Sequence, residues 1–326
     1  MNKAINLAGK TIVITGASSG AGRAAALEFA VYQPYLVLAA RNETALEEIA
    51  AECRELGANV LVQVTDVTDP KAMINLANTA YAWQNKLDVW INNAGVLGVG
   101  NFDATPMEVH RQIIQINLLG YMNGAHAVLP LFKEQGSGIL INNISVGGFL
   151  PVPYGTAYTA GKFGLRGFSQ ALKAELADWP GIHVCDLFPA FLDTPGIEHA
   201  GNYTGKALKP APPVYDPKRI AQAMVQVASN PRSNTYVGSA SLLLKLSHAI
   251  FPQLTTNITG MVMRRYFKSA TPMALTDGNL FTTVDYAMSA HGRFGLSGKP
   301  KVHRKYVAGI LLAGIATGLV LFGSKR

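Results

Sequence analysis

The sequence predicts an α/β fold, a doubly wound parallel sheet with helices on both faces, within residues 1–240. Short β-branched apolar runs, typical of buried strands, alternate with helical patterns, and this alternation produces parallel strands with right-handed crossovers. A glycine-rich turn follows the first strand and polar residues follow the next four, at the sheet edge where such folds bind ligands. The predicted strands are 11–15, 35–40, 59–65, 87–91, 139–144, 182–188 and 235–237, and the predicted helices are 23–31, 43–56, 106–133 and 216–228.

The composition indicates a folded chain without a nucleic-acid partner. Of 326 residues, 49% are apolar and 15% are charged, which excludes a disordered protein and allows a sizeable core. The net charge is +8, but much of the basic excess lies in the last thirty residues, and no basic stripe interleaved with aromatic residues is present elsewhere. We therefore expect no nucleic-acid binding, and we assign no metal site.

The two cysteines and the N-terminus favour a cytosolic protein. Cys53 and Cys185 fall in segments whose pattern is core-facing, so we expect reduced thiols rather than a disulfide. The first ten residues contain no apolar region of the kind found in signal peptides. Both observations predict a cytosolic location for the folded domain.

A phosphate site is predicted where the first strand meets a helix. The strand is followed by Gly16-Ala-Ser-Ser-Gly20-Ala-Gly22 and then by a helical pattern. Glycine permits a tight turn and close backbone approach, and the free amides and dipole of the helix N-terminus attract an anion. The spacing departs from the more familiar Gly-x-Gly-x-x-Gly, and the alternative is a tight connection without a ligand.

The ends of the second and third predicted strands indicate which dinucleotide this site would hold. An acidic residue at the end of the second strand grips the 2′-hydroxyl of NAD and repels the 2′-phosphate of NADP. Here Ala40 is followed by Arg41, which favours NADP. The alternative is a surface arginine at the end of a strand. Asp66, after the third strand, is placed to accept a hydrogen bond from the adenine amino group.

A candidate acid–base pair lies further along the chain. Tyr158 and Lys162 are four residues apart, so on a helix they share one face. A free tyrosine hydroxyl has a pKa of about 10, and an adjacent ammonium lowers that pKa, which suits proton exchange with a carbonyl or an alcohol. Ser145, directly after an apolar strand, is placed to donate to the same substrate oxygen. The alternative is an exposed tyrosine beside a solvated lysine, because this spacing is common.

These motifs together resemble the short-chain dehydrogenase/reductase family. Asn117 adds to them, because an asparagine within a helix is unfavourable unless its side chain finds partners. The resemblance covers roughly residues 8–240. The matching residues, in the family's order and at family-like separations, are Thr15, Gly16, Gly20, Gly22, Asp66, Asn92, Asn93, Ala94, Gly95, Asn117, Ser145, Tyr158 and Lys162.

The resemblance implies a Rossmann-type fold and a catalytic tetrad of Asn117, Ser145, Tyr158 and Lys162. Tyr158 would be the general acid or base, and Ser145 would orient the substrate oxygen. Lys162 would bind the nicotinamide ribose and lower the pKa of the tyrosine, and Asn117 would hold a water on the proton path. The coenzyme-binding residues implied in this way are Gly16, Ser18, Ser19, Gly20, Gly22, Arg41, Asp66, Asn93, Ala94, Gly95, Tyr158, Lys162, Pro189 and Thr194.

Two positions depart from the family pattern. Family members often carry Pro-Gly after the sixth strand, whereas this chain has Pro189 and Ala190, which can shift the loop that brings Thr194 to the coenzyme. NADP-preferring members often have a basic residue before the second glycine of the turn, and here that residue is Ser19. The NADP prediction therefore depends on Arg41 and on the missing acidic residue.

The segments after the sixth strand bear on the substrate. Residues 192–213 are rich in Gly, Pro and Thr and fall where the family has a mobile substrate lid. Phe149, Leu150, Phe191 and Tyr203 would suit an apolar substrate, or they pack the lid itself. Residues 241–298 exceed the family core, and we expect either a packed cap over the pocket or helices at a membrane interface.

The C-terminal residues 299–326 predict a membrane anchor. Residues 306–322 carry no charge and are flanked by basic residues on both sides. As a helix they would span about 26 Å, near the lower limit for crossing a bilayer. Gly314 and Gly318 would allow two such helices to pack closely, and the excess of basic residues before the segment places the catalytic domain on the cytoplasmic side. The alternative is a terminal helix packed on a dimer partner.

The sequence as a whole predicts an NADP(H)-dependent oxidoreductase that interconverts a carbonyl and a secondary alcohol, with a lipophilic substrate. Two alternatives stay open: a non-catalytic NADP(H)-binding redox sensor or membrane scaffold, and an epimerase or dehydratase with the same fold. By analogy with the family we also expect a homo-oligomer, either a dimer or a tetramer.

Overall fold

A seven-stranded parallel sheet forms the centre of the molecule. The computed structural model describes residues 5–294. Its main sheet has the strand order β3-β2-β1-β4-β6-β7-β9, and β5 and β8 form a separate two-stranded parallel sheet. The strands are β1 Thr11–Thr15, β2 Tyr35–Ala40, β3 Asn59–Val64, β4 Val89–Asn92, β5 Gly98–Val99, β6 Gly138–Asn143, β7 Ile182–Pro189, β8 Gly201–Asn202 and β9 Asn234–Val237.

Helices cover both faces of this sheet, which confirms the predicted fold class. Side chains alternate along β1, so that Ile12 and Ile14 pack into one apolar cluster with α1, α2 and α7, while Val13 packs into the other with α3, α4, α5 and α6. The helices are α1 Gly20–Ala30, α2 Glu43–Glu55, α3 Pro70–Gln84, α4 Met107–Ile114, α5 Gly120–Glu134, α6 Thr156–Glu175, α7 Lys218–Ser229, α8 Ser239–Ile250 and α9 Pro252–Ser269.

The helices differ from the sequence prediction in three respects. Helix α1 begins at Gly20 rather than at residue 23. Helix α3 was not predicted, although Asp69 caps it by accepting a hydrogen bond from the Lys71 amide at 2.8 Å and Pro70 occupies its first turn. The single helix predicted over 106–133 is two α-helices joined by a π-helical turn, Gln115–Leu119. The π turn contains Asn117, so the irregularity coincides with a candidate site residue.

A buried polar network links the central strands beneath the sheet edge. The Asn92 side chain accepts a hydrogen bond from the Trp90 indole at 2.8 Å and donates to Asn142 at 3.1 Å. Asn142 donates in turn to Asp186 at 3.3 Å, and Lys173 donates to the same carboxylate at 2.7 Å. Asn92 therefore has a structural role within β4, whereas the residues after it face the cavity described below.

The chain beyond the sheet forms a helical hairpin and then an extended segment. Helices α8 and α9 pack against each other, and residues 276–294 return across the carboxyl edge of the sheet. Among residues 5–294 we find no helix that is both long enough and apolar enough to cross a membrane. The predicted anchor, residues 299–326, lies outside the described residues. The predicted division at residue 240 stays a prediction, although α8 begins at Ser239.

Both cysteines are free and buried, as the sequence pattern predicted. Burial raises the pKa of the Cys53 thiol to about 12 and that of the Cys185 thiol to about 11. Thiols with such raised pKa values carry little thiolate at neutral pH, so both behave as small apolar core residues.

Candidate active site

One large cavity of about 920 Å³ extends along the carboxyl edge of the sheet. It reaches from the glycine-rich turn after β1 to helix α9, and its lining comes from the ends of β1, β2, β3, β4, β6 and β7. Sites for small molecules and cofactors commonly have this size and lie at this edge. The predicted site residues that line it are Gly16, Ser18, Ser19, Gly20, Arg41, Asp66, Asn93, Ala94, Gly95, Asn117, Ser145, Tyr158, Lys162, Pro189 and Thr194.

Gly22 is the predicted coenzyme residue that does not line the cavity. A Cβ atom on Gly22 would lie 2.0 Å from the Gly16 carbonyl oxygen and 2.6 Å from the Asn93 side-chain nitrogen. Gly22 therefore lets α1 begin close under β1, while Gly16, with a φ of +66°, makes the turn itself. Its contribution is to shape the turn rather than to contact a ligand.

The ends of β1, β4 and β6 are fixed by side-chain hydrogen bonds. The Thr15 hydroxyl accepts from the Asn93 amide at 3.0 Å and from the Ala94 amide at 3.2 Å. The Asn93 carboxamide donates to the Thr15 carbonyl at 3.0 Å and accepts from the Asn143 side chain at 2.9 Å. Three strands are thereby held in one arrangement at the floor of the cavity.

Tyr158 and Ser145 lie side by side in the cavity wall. A Cβ atom on Gly147 would lie 2.8 Å from a ring carbon of Tyr158. Glycine at this position therefore leaves room for the Tyr158 ring. The Ser145 hydroxyl accepts a hydrogen bond from the Gly147 amide at 3.1 Å. Ser145 has a φ of 104°, a strained conformation for a residue with a side chain and one that is frequent at functional sites.

Lys162 is buried beneath this pair. Its ammonium nitrogen is 3.4 Å from the Asn143 carbonyl oxygen, 4.8 Å from the centre of the Tyr121 ring and 5.9 Å from that of Tyr158. Burial lowers the pKa of Lys162 to about 7. The sequence reasoning missed Tyr121, although it lies four residues after Asn117, a spacing that signals a shared helix face.

The expected lowering of the tyrosine pKa by the lysine is not seen among the described residues. Burial raises the pKa of Tyr158, and the hydrogen bond with Ser145 lowers it only in part. Burial lowers the pKa of Lys162 to about 7, so this lysine carries only part of its positive charge at neutral pH. Tyr158, whose pKa is raised, is a protonated donor at neutral pH.

Asn117 finds the partners that its position in a helix requires. Its side chain accepts from the Val96 amide at 2.9 Å and donates to the Val96 carbonyl at 2.8 Å, and it is fully buried. The π-helical turn around it disturbs the regular helical hydrogen bonding, as such turns do at functional sites. Both polar groups of its side chain form hydrogen bonds with Val96, so the predicted water would bind elsewhere on the residue. The water-binding role of Asn117 stays a prediction.

The other end of the cavity contains the predicted adenosine residues. Arg41 donates hydrogen bonds to the backbone carbonyls of Asn279 and Leu280, two contacts that the sequence pattern does not indicate. Asp66 accepts from the Thr68 amide and hydroxyl through one of its oxygens. Thr194 lies against the glycine-rich turn. A Cβ atom placed on Gly20 would lie 3.3 Å from the Cβ atom of Thr194. The replacement of glycine by Ala190 therefore leaves Thr194 at the coenzyme side.

The donor set fits a dinucleotide. Among the first amides of α1, which lack intrahelical partners, that of Gly20 donates to the Ser289 carbonyl, while Ala21 lines the cavity beside serine hydroxyls and Thr194. Arg41 and Asp66 lie at the adenosine end. Lys162 and Tyr158 lie at the opposite end of the same cavity, where a nicotinamide ring would meet a substrate. Among residues 5–294 we find no group of three or more His, Cys, Asp or Glu side chains that could hold a metal ion.

The substrate end of the cavity is mostly apolar. Leu150 and Phe191 line it as expected, and so do α9 side chains, including Ile258, Met263 and Phe267, that the sequence reasoning did not assign. Two expected lining residues are elsewhere. Phe149 packs against the Phe188 ring, with ring centres 4.6 Å apart, and against Tyr236. The Tyr203 hydroxyl donates to Asp277 and is directed away from the cavity lining.

The buried lysine makes a prediction about stability. Since the pKa of Lys162 is about 7 in the fold and near its ordinary value of 10.5 when unfolded, the unfolded chain binds the extra proton between these pH values. Stability therefore rises with pH across that window. We expect Lys162→Met to raise the melting temperature by at least about 2 °C at pH 7, with a gain that shrinks toward pH 10. Thermal unfolding between pH 6 and 10 measures this.

The matched control is Lys71→Met, an exposed lysine whose replacement should show no such dependence on pH. A pH-independent difference between Lys162→Met and the unmodified protein would contradict the lowered pKa of Lys162.

Comparison with known proteins accords with this geometry. The profile of the family described as short chain dehydrogenase matches residues 10–202, which is more than half of the chain. The chain is 32% identical over 259 residues to an uncharacterized oxidoreductase, YxnA, from Bacillus subtilis, covering 78% of this chain and 72% of that protein. It is 28% identical over 266 residues to rat 17-beta-hydroxysteroid dehydrogenase 13, covering 81% and 86%.

A solved structure is similar as well. The alcohol dehydrogenase from the archaeon Thermococcus sibiricus, complexed with 5-hydroxy-NADP, superposes with a TM-score of 0.62 at 27% identity, covering 71% of this chain and 97% of that one. The matched family and the shared fold lead to one conclusion: this chain belongs to the short chain dehydrogenase family and is an oxidoreductase of carbonyl and alcohol groups.

Proposed function

We propose that this protein is an NADP(H)-dependent oxidoreductase that interconverts a lipophilic carbonyl compound and the corresponding secondary alcohol. The observation that carries the proposal is that one cavity joins a basic residue at its adenosine end, a serine–tyrosine–lysine cluster at its centre and an apolar wall at its far end. Each of the three parts determines one feature of the reaction.

The central cluster supports the proton transfer. In the reductive direction the Tyr158 hydroxyl donates its proton to the carbonyl oxygen, and the Ser145 hydroxyl donates a second hydrogen bond that holds this oxygen in place. A bound nicotinamide coenzyme supplies the hydride that the carbonyl carbon receives, so that C=O becomes CH–OH. Burial keeps Tyr158 protonated before the reaction, which suits a donor. Lys162, with a pKa of about 7, can give and regain a proton at neutral pH.

The adenosine end supports NADP(H). Strand β2 ends at Ala40, and Arg41 and Asn42 follow it in the cavity lining, so neither residue after the strand is the carboxylate that would repel a 2′-phosphate. The Asp285 carboxylate accepts a hydrogen bond from the Asn42 side chain at 3.3 Å but does not line the cavity. A guanidinium offers several donors in a fixed geometry that matches a phosphate. The similar structure from Thermococcus sibiricus contains a derivative of NADP, which agrees with this proposal.

Coenzyme titration tests the preference. We expect Arg41→Ala to weaken NADPH binding by about tenfold to a hundredfold, the range for a lost hydrogen bond to a charged group, and to change NADH binding by less than about threefold. Fluorescence titration of both coenzymes measures this. Arg54→Ala, a substitution of an exposed arginine on α2, is the matched control. Tighter binding of NADH than of NADPH by the unmodified protein would contradict the proposal.

The far end supports a lipophilic substrate. Apolar side chains from α9 and from Leu150 and Phe191 form this part of the lining, and burying them against a substrate is favourable in proportion to the apolar area covered. The similarity to a 17-beta-hydroxysteroid dehydrogenase, a protein whose name denotes a lipophilic alcohol, agrees with this assignment.

A series of ketones of increasing chain length tests the substrate class. We expect kcat/KM to rise with chain length until the cavity is filled. Met263→Asn should reduce kcat/KM for the longest ketone by about tenfold, the effect of losing roughly 1.4 kcal/mol of apolar contact, and leave the shortest ketone unaffected. Met261→Asn is the matched control, because Met261 is exposed on the same helix and does not line the cavity. Preference for small hydrophilic carbonyls would contradict the proposal.

We also propose that residues 299–326 tether the protein to a membrane, with the catalytic domain on the cytoplasmic side. Exposed apolar side chains at the turn between α8 and α9, among them Leu246, Ile250 and Phe251, support a location beside lipid. Partition of the full chain and of residues 1–298 between buffer and lipid vesicles measures the tether.

The expected homo-oligomer, either a dimer or a tetramer, stays a prediction.

A further inference from the structure

The segment of residues 276–294, here called the C-terminal strap, closes the adenosine end of the cavity. It is held there by hydrogen bonds along its length. The Asn279 amide donates to the His199 carbonyl at 2.9 Å, and the Gly20 amide donates to the Ser289 carbonyl at 2.9 Å. The Phe294 amide donates to the Asp193 carboxylate at 3.0 Å. The strap is therefore part of the folded site rather than a loose extension.

The strap contacts the residues after β2 directly. The Arg41 guanidinium donates to the carbonyls of Asn279 and Leu280, and Asn42 donates to the Val284 carbonyl at 3.1 Å. Leu280 is fully buried and anchors this part of the strap. The carbonyls fix the direction of the Arg41 side chain, so the strap positions the residue that would contact a 2′-phosphate.

The charge of Arg41 stays uncompensated by these contacts. Its strap partners are neutral carbonyl oxygens, and within the described residues no carboxylate forms an ion pair with it. A guanidinium has five N–H donors, so two backbone carbonyls leave others for an anion. Arg41 is thus oriented by the strap and still able to bind a phosphate.

Asn279 also has a polar side chain. The residue lines the same cavity as Arg41, and its side-chain oxygen is buried without a hydrogen-bond partner among residues 5–294. A buried amide oxygen without a partner costs free energy, and native proteins rarely leave one in that state. A carboxamide can present either its oxygen or its nitrogen to a ligand, so it can bind a hydroxyl or a phosphate.

We propose that the strap is the outer wall of the adenosine half of the coenzyme site, and that Asn279 is a coenzyme-contacting residue whose carbonyl orients Arg41 and whose carboxamide binds the 2′-substituent of the adenosine ribose. This inference rests on the proposed binding of NADP(H). It assigns coenzyme recognition to a segment that lies far from the glycine-rich turn in the sequence.

Fragments of the coenzyme test this without catalysis. The probes are adenosine 2′,5′-bisphosphate, which carries the 2′-phosphate, and adenosine 5′-monophosphate, which carries a 2′-hydroxyl. We expect Asn279→Ala to weaken binding of the bisphosphate by about tenfold. Asn279→Asp places a carboxylate beside the phosphate, so it should weaken the bisphosphate by about a hundredfold or more and change the monophosphate by less than about threefold. Calorimetric titration of the full chain measures both.

Asn257→Ala and Asn257→Asp are the matched controls, because Asn257 is exposed on α9 and does not line the cavity. Bisphosphate affinity within about threefold of the unmodified protein in both Asn279 variants would overturn the proposal. If the variants fail to fold, hydrogen exchange measured on the unmodified protein tests the proposal instead. Slower exchange in peptides covering 276–290 on addition of the bisphosphate supports the proposal, and unchanged exchange there overturns it.

The two proposals fail in different ways. Equal affinity of the unmodified protein for both fragments would contradict the NADP preference. In that case a loss of monophosphate binding in Asn279→Ala still supports contact between Asn279 and the ribose, and retention of that binding overturns it.

Discussion

The hydrogen bonds of Thr15 and Asn93 fix the geometry on which the rest of the site depends. They join the ends of β1, β4 and β6, and Asn143 extends the same connection toward Lys162. Because the ends of parallel strands lie at one edge, this small set of polar contacts positions the glycine-rich turn, the floor of the cavity and the acid–base cluster together. One member of this network is incomplete, because the Asn143 side-chain oxygen is buried without a hydrogen-bond partner among residues 5–294.

Burial gives the central cluster its protonation states. In water a tyrosine beside a lysine would be expected to lose its proton more readily, but within this fold desolvation raises the pKa of Tyr158 and lowers the pKa of Lys162. Both side chains are thereby driven toward their neutral forms before a substrate arrives. A neutral tyrosine donor and a lysine that titrates near pH 7 suit reversible proton transfer at neutral pH.

The residues that could be predicted from the sequence are those whose position follows from local pattern. Arg41 directly follows β2, and Asp66 and Ser145 lie two residues after the ends of β3 and β6. The regular alternation of strands and helices places such residues at one edge. The strap could not be predicted, because it binds Arg41 through backbone carbonyls, which every residue has, across more than two hundred positions. Likewise the directions of Phe149 and Tyr203 depend on distant partners, Phe188 and Asp277.

The central claim is that Tyr158 is the proton donor to the substrate oxygen, and Tyr158→Phe tests it most directly. The substitution removes one oxygen atom from a partly buried ring that packs closely against Gly147. We expect NADPH to bind within about threefold of the unmodified protein, while the rate of ketone reduction falls by about a hundredfold to ten-thousandfold, the usual contribution of general acid catalysis. Unchanged reduction by this variant would contradict the account.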